Sequence, residues 1–151
     1  MTGGGEVEPM LGMLVVTHGN LARELVASAR TIVAEDVALE ALSIAWNDDP
    51  EGAAESIREG IHRLDRGAGV LVLTDMFGGT PTNLSLALLE PGRVEIVTGA
   101  NLPMLIKFAN LDRQVGLAEA AACVARQGRE SVQVASELLD DQTDEADEDG
   151  S

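Results

Sequence analysis

Aromatic rings are scarce in this chain: two phenylalanines, one tryptophan and no tyrosine in 151 residues, although 45% of the residues are apolar. Its core must therefore be built from Leu, Val, Ile and Ala, which suits helices packed on a sheet. A single cysteine, Cys123, excludes an internal disulfide. Set among Ala120, Ala121, Ala122 and Val124, it reads as packing on a buried helical face rather than as a reactive thiol. Basic residues are few as well. Ten Lys and Arg stand against 26 Asp and Glu, a net charge of −16, and the absence of a basic patch speaks against nucleic-acid binding. No apolar run approaches the roughly 18 residues of a membrane helix. The start, Met1-Thr2-Gly3-Gly4-Gly5-Glu6, has neither the basic nor the apolar region of a secretion signal, so the expectation is a soluble cytoplasmic protein. No His/Cys/Asp group has metal-ligand spacing, and neither a metal nor a cofactor is expected.

What is present is organised as one domain. Eight acidic residues and no basic one lie between Glu137 and Gly150, half of the net charge of −16. Such a stretch repels itself and buries little, so 137–151 reads as a disordered, solubilising acidic tail. Residues 1–10 read as a flexible extension, and 11–136 as the folded domain. Within it, Leu11 to Val16 is a short apolar run ending in Thr17-His18-Gly19-Asn20, as a strand buried on both faces would be. Asn20 is placed to cap a helix from Leu21 to Ala34, with Leu21, Leu25, Ser28, Ala29 and Ile32 at helical spacing. Strands are expected at Val37 to Trp46, Gly69 to Asp75, Arg93 to Thr98 and Ser131 to Ala135. Helices are expected near Glu51 to Arg66, Thr80 to Leu89, Leu102 to Asn110 and Gln114 to Gln127, the last closed by Gly128. This alternation predicts an α/β fold, an open, doubly wound and mostly parallel sheet with helices on both faces. Ligands of such sheets bind at the C-terminal ends of the strands.

Two of those ends carry complementary groups. His18 closes the first strand and Asp75 the third, each followed by glycine and a helix start. A carboxylate that accepts the proton of one ring nitrogen fixes the tautomer and leaves the other nitrogen as a nucleophile. An incoming phosphoryl group about 4 Å from Asp75 would meet repulsion of a few kcal/mol per charge at an effective dielectric near 20. Donors must offset that, and the turn Gly78-Gly79-Thr80 before Pro81, with Gly19-Asn20 opposite, supplies backbone N–H groups at helix starts. Thr80 has two uses, capping its helix or donating its hydroxyl to phosphate; capping is the ordinary one. His62 falls inside an amphipathic helix and reads as solvated or partly packed. Trp46 forms the rim of the crevice, a contact surface or the edge of the core.

Three segments in register, Val15-Val16-Thr17-His18-Gly19, Leu73-Thr74-Asp75-Met76-Phe77-Gly78-Gly79-Thr80-Pro81-Thr82-Asn83 and Val97-Thr98-Gly99-Ala100-Asn101-Leu102-Pro103-Met104-Leu105, resemble the mannose-type IIA components of the bacterial sugar phosphotransferase system. The resemblance covers residues 12 to about 135. It implies a phosphotransferase working through a phosphohistidine intermediate, with His18 accepting phosphate from the phosphocarrier HPr and passing it to a IIB component on a separate chain. Asp75 would orient the histidine, and Gly19, Gly78, Gly79 and Thr80 would line the phosphate. It also implies a homodimer with the last strand, Ser131 to Ala135, exchanged between subunits, and contact with the membrane only through a permease complex. A regulatory protein whose phosphohistidine state controls a partner without sugar transport is the alternative. A histidine phosphatase is disfavoured because Thr17 stands where its motif has arginine. A receiver domain would need an acidic pair after the first strand, and a nucleotide-binding domain a glycine fingerprint there.

Overall fold

The apolar run at the start of the domain forms β1 (Gly12–His18), buried from Gly12 to Thr17 and exposed only at His18. The structure, a computed structural model, describes residues 9–76 and 78–140. β1 is flanked by β2 (Leu39–Ile44) and β3 (Val70–Thr74), and β4 (Val94–Thr98) completes a sheet of order β2-β1-β3-β4 in which every pair is parallel. Parallel neighbours need helical crossovers, supplied by α1 (Leu21–Arg30), α2 (Pro50–Leu64) and α3 (Thr80–Leu86); α4 (Leu102–Ala109) and α5 (Leu117–Glu130) follow β4.

Strand alternation sends β1 side chains to two cores. Met13 and Val15, with Leu71 and Leu73, pack against α1, α4 and α5 through Ala22, Ala29, Met104, Leu105, Phe108 and Val124. Leu14 and Val16, with Val70 and Val72, pack against α2 through Ala53, Ile57, Ile61 and Leu64. Burying each large aliphatic side chain contributes roughly 1.5–3 kcal/mol, so the sheet is clamped from both sides mainly by aliphatic side chains, with Phe108 the one aromatic ring named among them. The chain winds one way from β1 to β2 and the other way to β3 and β4. The order therefore reverses between β1 and β3, the crevice position of a doubly wound sheet.

Several local expectations are corrected. Helix α1 ends at Arg30, and it buries Ala22 and Ala29 while Leu21 and Ile32 are exposed, because small residues let the helix lie close to the sheet. Asn20 makes no side-chain cap; the Thr17 hydroxyl, buried one turn back, accepts the Ala22 N–H at 2.6 Å instead. Gly128 does not close α5, which runs on to Glu130. It is buried against α4, and a Cβ there would lie 2.6 Å from Met104 Sδ. Cys123 is only partly buried. The strand expected at Ser131 to Ala135 is not formed. Among the described residues no strand pairs with 132–134, Val132 and Val134 are exposed, and 135–140 are helical. The first residues of the acidic stretch, from Glu137 to Asp140, thus lie in a helix; 1–8 and 141–151 lie outside the described residues. Among the described residues no helix is long and apolar enough to cross a membrane.

Candidate functional site

The reversal between β1 and β3 brings His18 and Asp75 together. The strands are direct neighbours, Val16 pairing with Thr74, so His18, at the end of β1, and Asp75, the first residue past β3, come out beside each other at the same edge. His18 Nδ1 lies 2.8 Å from Asp75 Oδ2, and the His18 backbone N–H donates to the same oxygen at 3.1 Å. The other carboxylate oxygen, Oδ1, accepts the Met76 N–H at 3.0 Å. Burial pushes the Asp75 carboxyl up, but the ring and backbone hydrogen bonds from His18, with the attraction of its charge, outweigh this and hold it below its ordinary value. Asp75 is therefore the acceptor, and Nδ1 carries a proton. With Nδ1 protonated, the lone pair of a neutral imidazole resides on Nε2, on a side chain that is 44% exposed.

The turn after β3 closes over this ring. Gly78 has φ of +92°, which a side chain would resist, while Gly79 has an ordinary φ of −85°. Gly79 is required for another reason. A Cβ there would lie 2.6 Å from His18 Cε1 and 3.2 Å from Nε2, so the imidazole is seated between the Asp75 carboxylate and the Gly79 backbone. Gly79, not Thr80, is the N-cap of α3. Thr80 is the first helical residue and Pro81 the second, and the exposed Thr80 side chain makes no cap bond. Gly19, with φ of +54°, turns the chain into α1, and its N–H is engaged by the Ile44 carbonyl at 3.0 Å. Gly19 thus shapes the site without a free amide to offer.

The other sequence candidates separate from this pair. His62 is exposed on α2, away from the strand ends. Trp46 is 96% exposed just beyond β2, not at the edge of the core. The residues 98–101 begin with Thr98 at the end of β4, and Asn101 caps α4 by accepting the Met104 N–H. Among the described residues no cluster of His, Cys, Asp and Glu has the form of a metal site. Sequence reasoning missed Thr82. Its hydroxyl is fully buried, 2.7 Å from the Thr74 hydroxyl and 2.6 Å from the Met76 carbonyl. A hydroxyl residue directly following the proline in the first turn of a helix was the available signal.

Chemically, the site offers a tautomer-fixed imidazole nitrogen at a solvent-open sheet edge. Residues 12–125 match the family model for the PTS system fructose IIA component, EIIA-man. The fructose-specific EIIA component of the phosphotransferase system of Bacillus subtilis is 26% identical over 132 residues, 87% of this chain and 90% of that protein. The mannose-specific EIIAB component of Escherichia coli is 27% identical over 124 residues; the chain spans only 38% of its length. Among solved structures, the PTS IIA protein associated with the fucose utilization operon of Streptococcus pneumoniae superposes with a TM-score of 0.77 at 27% identity, covering 89% of this chain and 99% of that one. The mannose/sorbose-specific IIA subunit from Enterococcus faecalis gives 0.71 at 29% identity, covering 83% and 94%.

Proposed function

Because the chain belongs to the EIIA-man family of phosphotransferase-system IIA components, we propose that it carries a phosphoryl group on His18, taking it from phosphorylated HPr and passing it to a IIB component. The observation that carries this reading is the 2.8 Å contact between His18 Nδ1 and Asp75 Oδ2, made by a ring that is 44% exposed. In the first half-reaction the Nε2 lone pair attacks phosphorus of the donor phosphohistidine. The new P–N bond forms as the donor's breaks, and that electron pair returns to the donor imidazole. The Nδ1 proton stays on His18, where Asp75 stabilises the positive charge the ring acquires. The second half-reaction reverses these steps toward the acceptor. No cofactor or metal enters, since the phosphoryl group moves between nucleophiles of similar kind.

Gly78, Gly79 and Thr80 face the transferred group in this reading, with the Thr80 hydroxyl and the amides of the turn as donors to its oxygens. Helix α3 has seven residues, so its dipole adds little and the local donors matter more. Residues 11–136 form the phosphocarrier domain, working in the cytoplasm and reaching the membrane only through a permease complex. A homodimer accompanies this function. β4 is an edge strand, and Val132 and Val134, 78% and 58% exposed, are apolar residues without cover in one subunit. Light scattering at increasing concentration reads the dimer directly.

The deciding experiment is intact mass after incubation with phosphorylated HPr. One added phosphoryl group is expected, absent in His18→Ala and present in His62→Ala. Full labelling of His18→Ala would overturn the assignment.

A further inference from the structure

We infer that Thr82 is a positioning residue for His18, acting through a chain of hydrogen bonds that begins in the core and ends at the imidazole. The inference rests on the phosphohistidine reading but does not depend on who donates the phosphoryl group. Thr82 lies in the first turn of α3, fully buried. Its hydroxyl has one proton, and the Met76 carbonyl at 2.6 Å can only accept. The direction of the 2.7 Å Thr74–Thr82 contact follows: Thr74 donates to Thr82, and Thr82 donates to Met76. Thr74 is the last residue of β3, equally buried, so the relay starts in the buried end of a strand paired on both sides.

Met76 is consequently gripped at both ends. Its carbonyl is held by Thr82, and its N–H is given to Asp75 Oδ1 at 3.0 Å. The latter bond sets the rotation of the carboxylate, whose Oδ2 then meets His18 Nδ1 at 2.8 Å. The same turn carries Gly79, whose backbone leaves no room for a Cβ beside His18 Cε1. One buried hydroxyl therefore fixes both walls of the imidazole seat, the carboxylate and the glycine. A side chain needed only to fill volume would not have to be polar. A buried hydroxyl without partners is costly, and here both its hydrogen-bonding roles are used.

Three variants separate the hydroxyl from the methyl group. Thr82→Val keeps the shape and loses the hydroxyl, Thr82→Ser does the reverse, and Thr82→Ala loses both. Two readouts are compared: the tautomer of the His18 ring by nitrogen-15 NMR, and the single-turnover rate of transfer from phosphorylated HPr. Thr82→Val and Thr82→Ala should lose the fixed Nδ1–H signature and slow transfer about tenfold or more, the usual cost of small misplacements at a reacting group. Thr82→Ser should restore both to within about threefold of wild type, even where thermal stability is lower. Thr82→Ala serves if Thr82→Val does not fold. A ring signature and rate that follow the methyl group, or that remain wild-type in the folded variants lacking the hydroxyl, would overturn the inference. Failure of wild-type protein to take phosphate from HPr would instead overturn the proposed function, because the NMR comparison stands without a donor.

Discussion

A single oxygen, Asp75 Oδ2, accepts both the ring Nδ1–H of His18, at 2.8 Å, and the backbone N–H of the same residue, at 3.1 Å. The carboxylate thus holds the side chain and the strand end from which it projects. Asp75→Asn can present an amide oxygen to both donors, so the domain should stay folded, but it has no charge to stabilise the phosphorylated ring. Transfer from phosphorylated HPr should fall by about 10². Reduced repulsion of the phosphoryl group keeps the loss at that level rather than higher. A folded variant transferring at the wild-type rate would show that another residue orients His18.

The same contact has a pH signature. Burial raises the Asp75 pKa, and the hydrogen bonds from His18 lower it by more, so the folded value lies below the unfolded one. A depressed carboxylate contributes stability that is present above the unfolded pKa, about 3.9, and is lost as pH falls through the folded value. The gap in thermal midpoint between wild type and Asp75→Asn should be widest near neutral pH and close below about pH 4. A gap that widens in acid would contradict this sign.

Gly79→Ala tests the other wall of the imidazole seat. The backbone at Gly79, φ −85° and ψ 169°, is open to alanine, so the only penalty is the 2.6 Å approach of the new Cβ to His18 Cε1. His18 is exposed and can swing away, which spares the fold but breaks its bond to Asp75. Thermal stability should change by less than about 1 kcal/mol, while transfer falls by about tenfold to a hundredfold. Equal loss of stability and no loss of rate would place the strain elsewhere.

The sheet and the pair at its edge were legible because their signals are local: apolar runs for β1 and β3, the first closed by His18 and the second followed directly by Asp75. Alternation of strands and helices predicts a doubly wound sheet, whereas the place where the order reverses is decided by β1 pairing with both β2 and β3. What stayed hidden depends on contacts between distant segments. The α1 face is decided by how closely Ala22 and Ala29 let the helix approach the sheet, and helical spacing alone also admits Leu21 and Ile32. Gly128 carries a stop signal in sequence, yet its missing side chain is filled by Met104 of α4. Thr82 resembles a routine helix residue until Thr74 and Met76 are brought against it. The segment from Ser131 to Ala135 has strand-forming residues but no paired strand among the described residues, and propensity without a ladder does not make a strand.

Gly12→Ala separates stability from chemistry. Gly12 opens β1, and a Cβ there would lie 2.8 Å from both the Leu64 carbonyl oxygen and Leu64 Cβ at the end of α2. Backbone cannot move aside as a side-chain tip can, so the strand or the helix must shift, at about 1–3 kcal/mol. The site lies at the opposite end of β1. Gly12→Ala should therefore lower the thermal midpoint by several degrees and leave the transfer rate per folded molecule unchanged. A slowed rate in the folded variant would mean that the packing of α2 on β1 reaches the His18 seat.

Under the proposed function, Trp46 is expected to contact the phosphoryl donor. Register places Ile44 beside His18, and Trp46 follows two residues later, 96% exposed, in a chain with one tryptophan. Met76, after Asp75, is 55% exposed, and Leu21, near the start of α1, is 44% exposed. Three strand ends thus surround the imidazole with uncovered apolar groups, and an exposed tryptophan is the residue type most apt to anchor a protein contact. Asp48 and Asp49, both exposed in the same loop, favour a partner with a basic rim. Trp46→Ala should leave stability within about 0.5 kcal/mol, since little is buried. KM for phosphorylated HPr should rise about fivefold to thirtyfold with kcat little changed, the signature of lost docking energy. Labelling of His18 by the small donor phosphoramidate should be unaffected, because that donor needs no docking surface. In wild type the tryptophan emission should shift to the blue when HPr binds. An unchanged KM with unchanged emission would direct the donor to another face of the sheet edge, whereas slower labelling by phosphoramidate would give Trp46 a part in seating His18 itself.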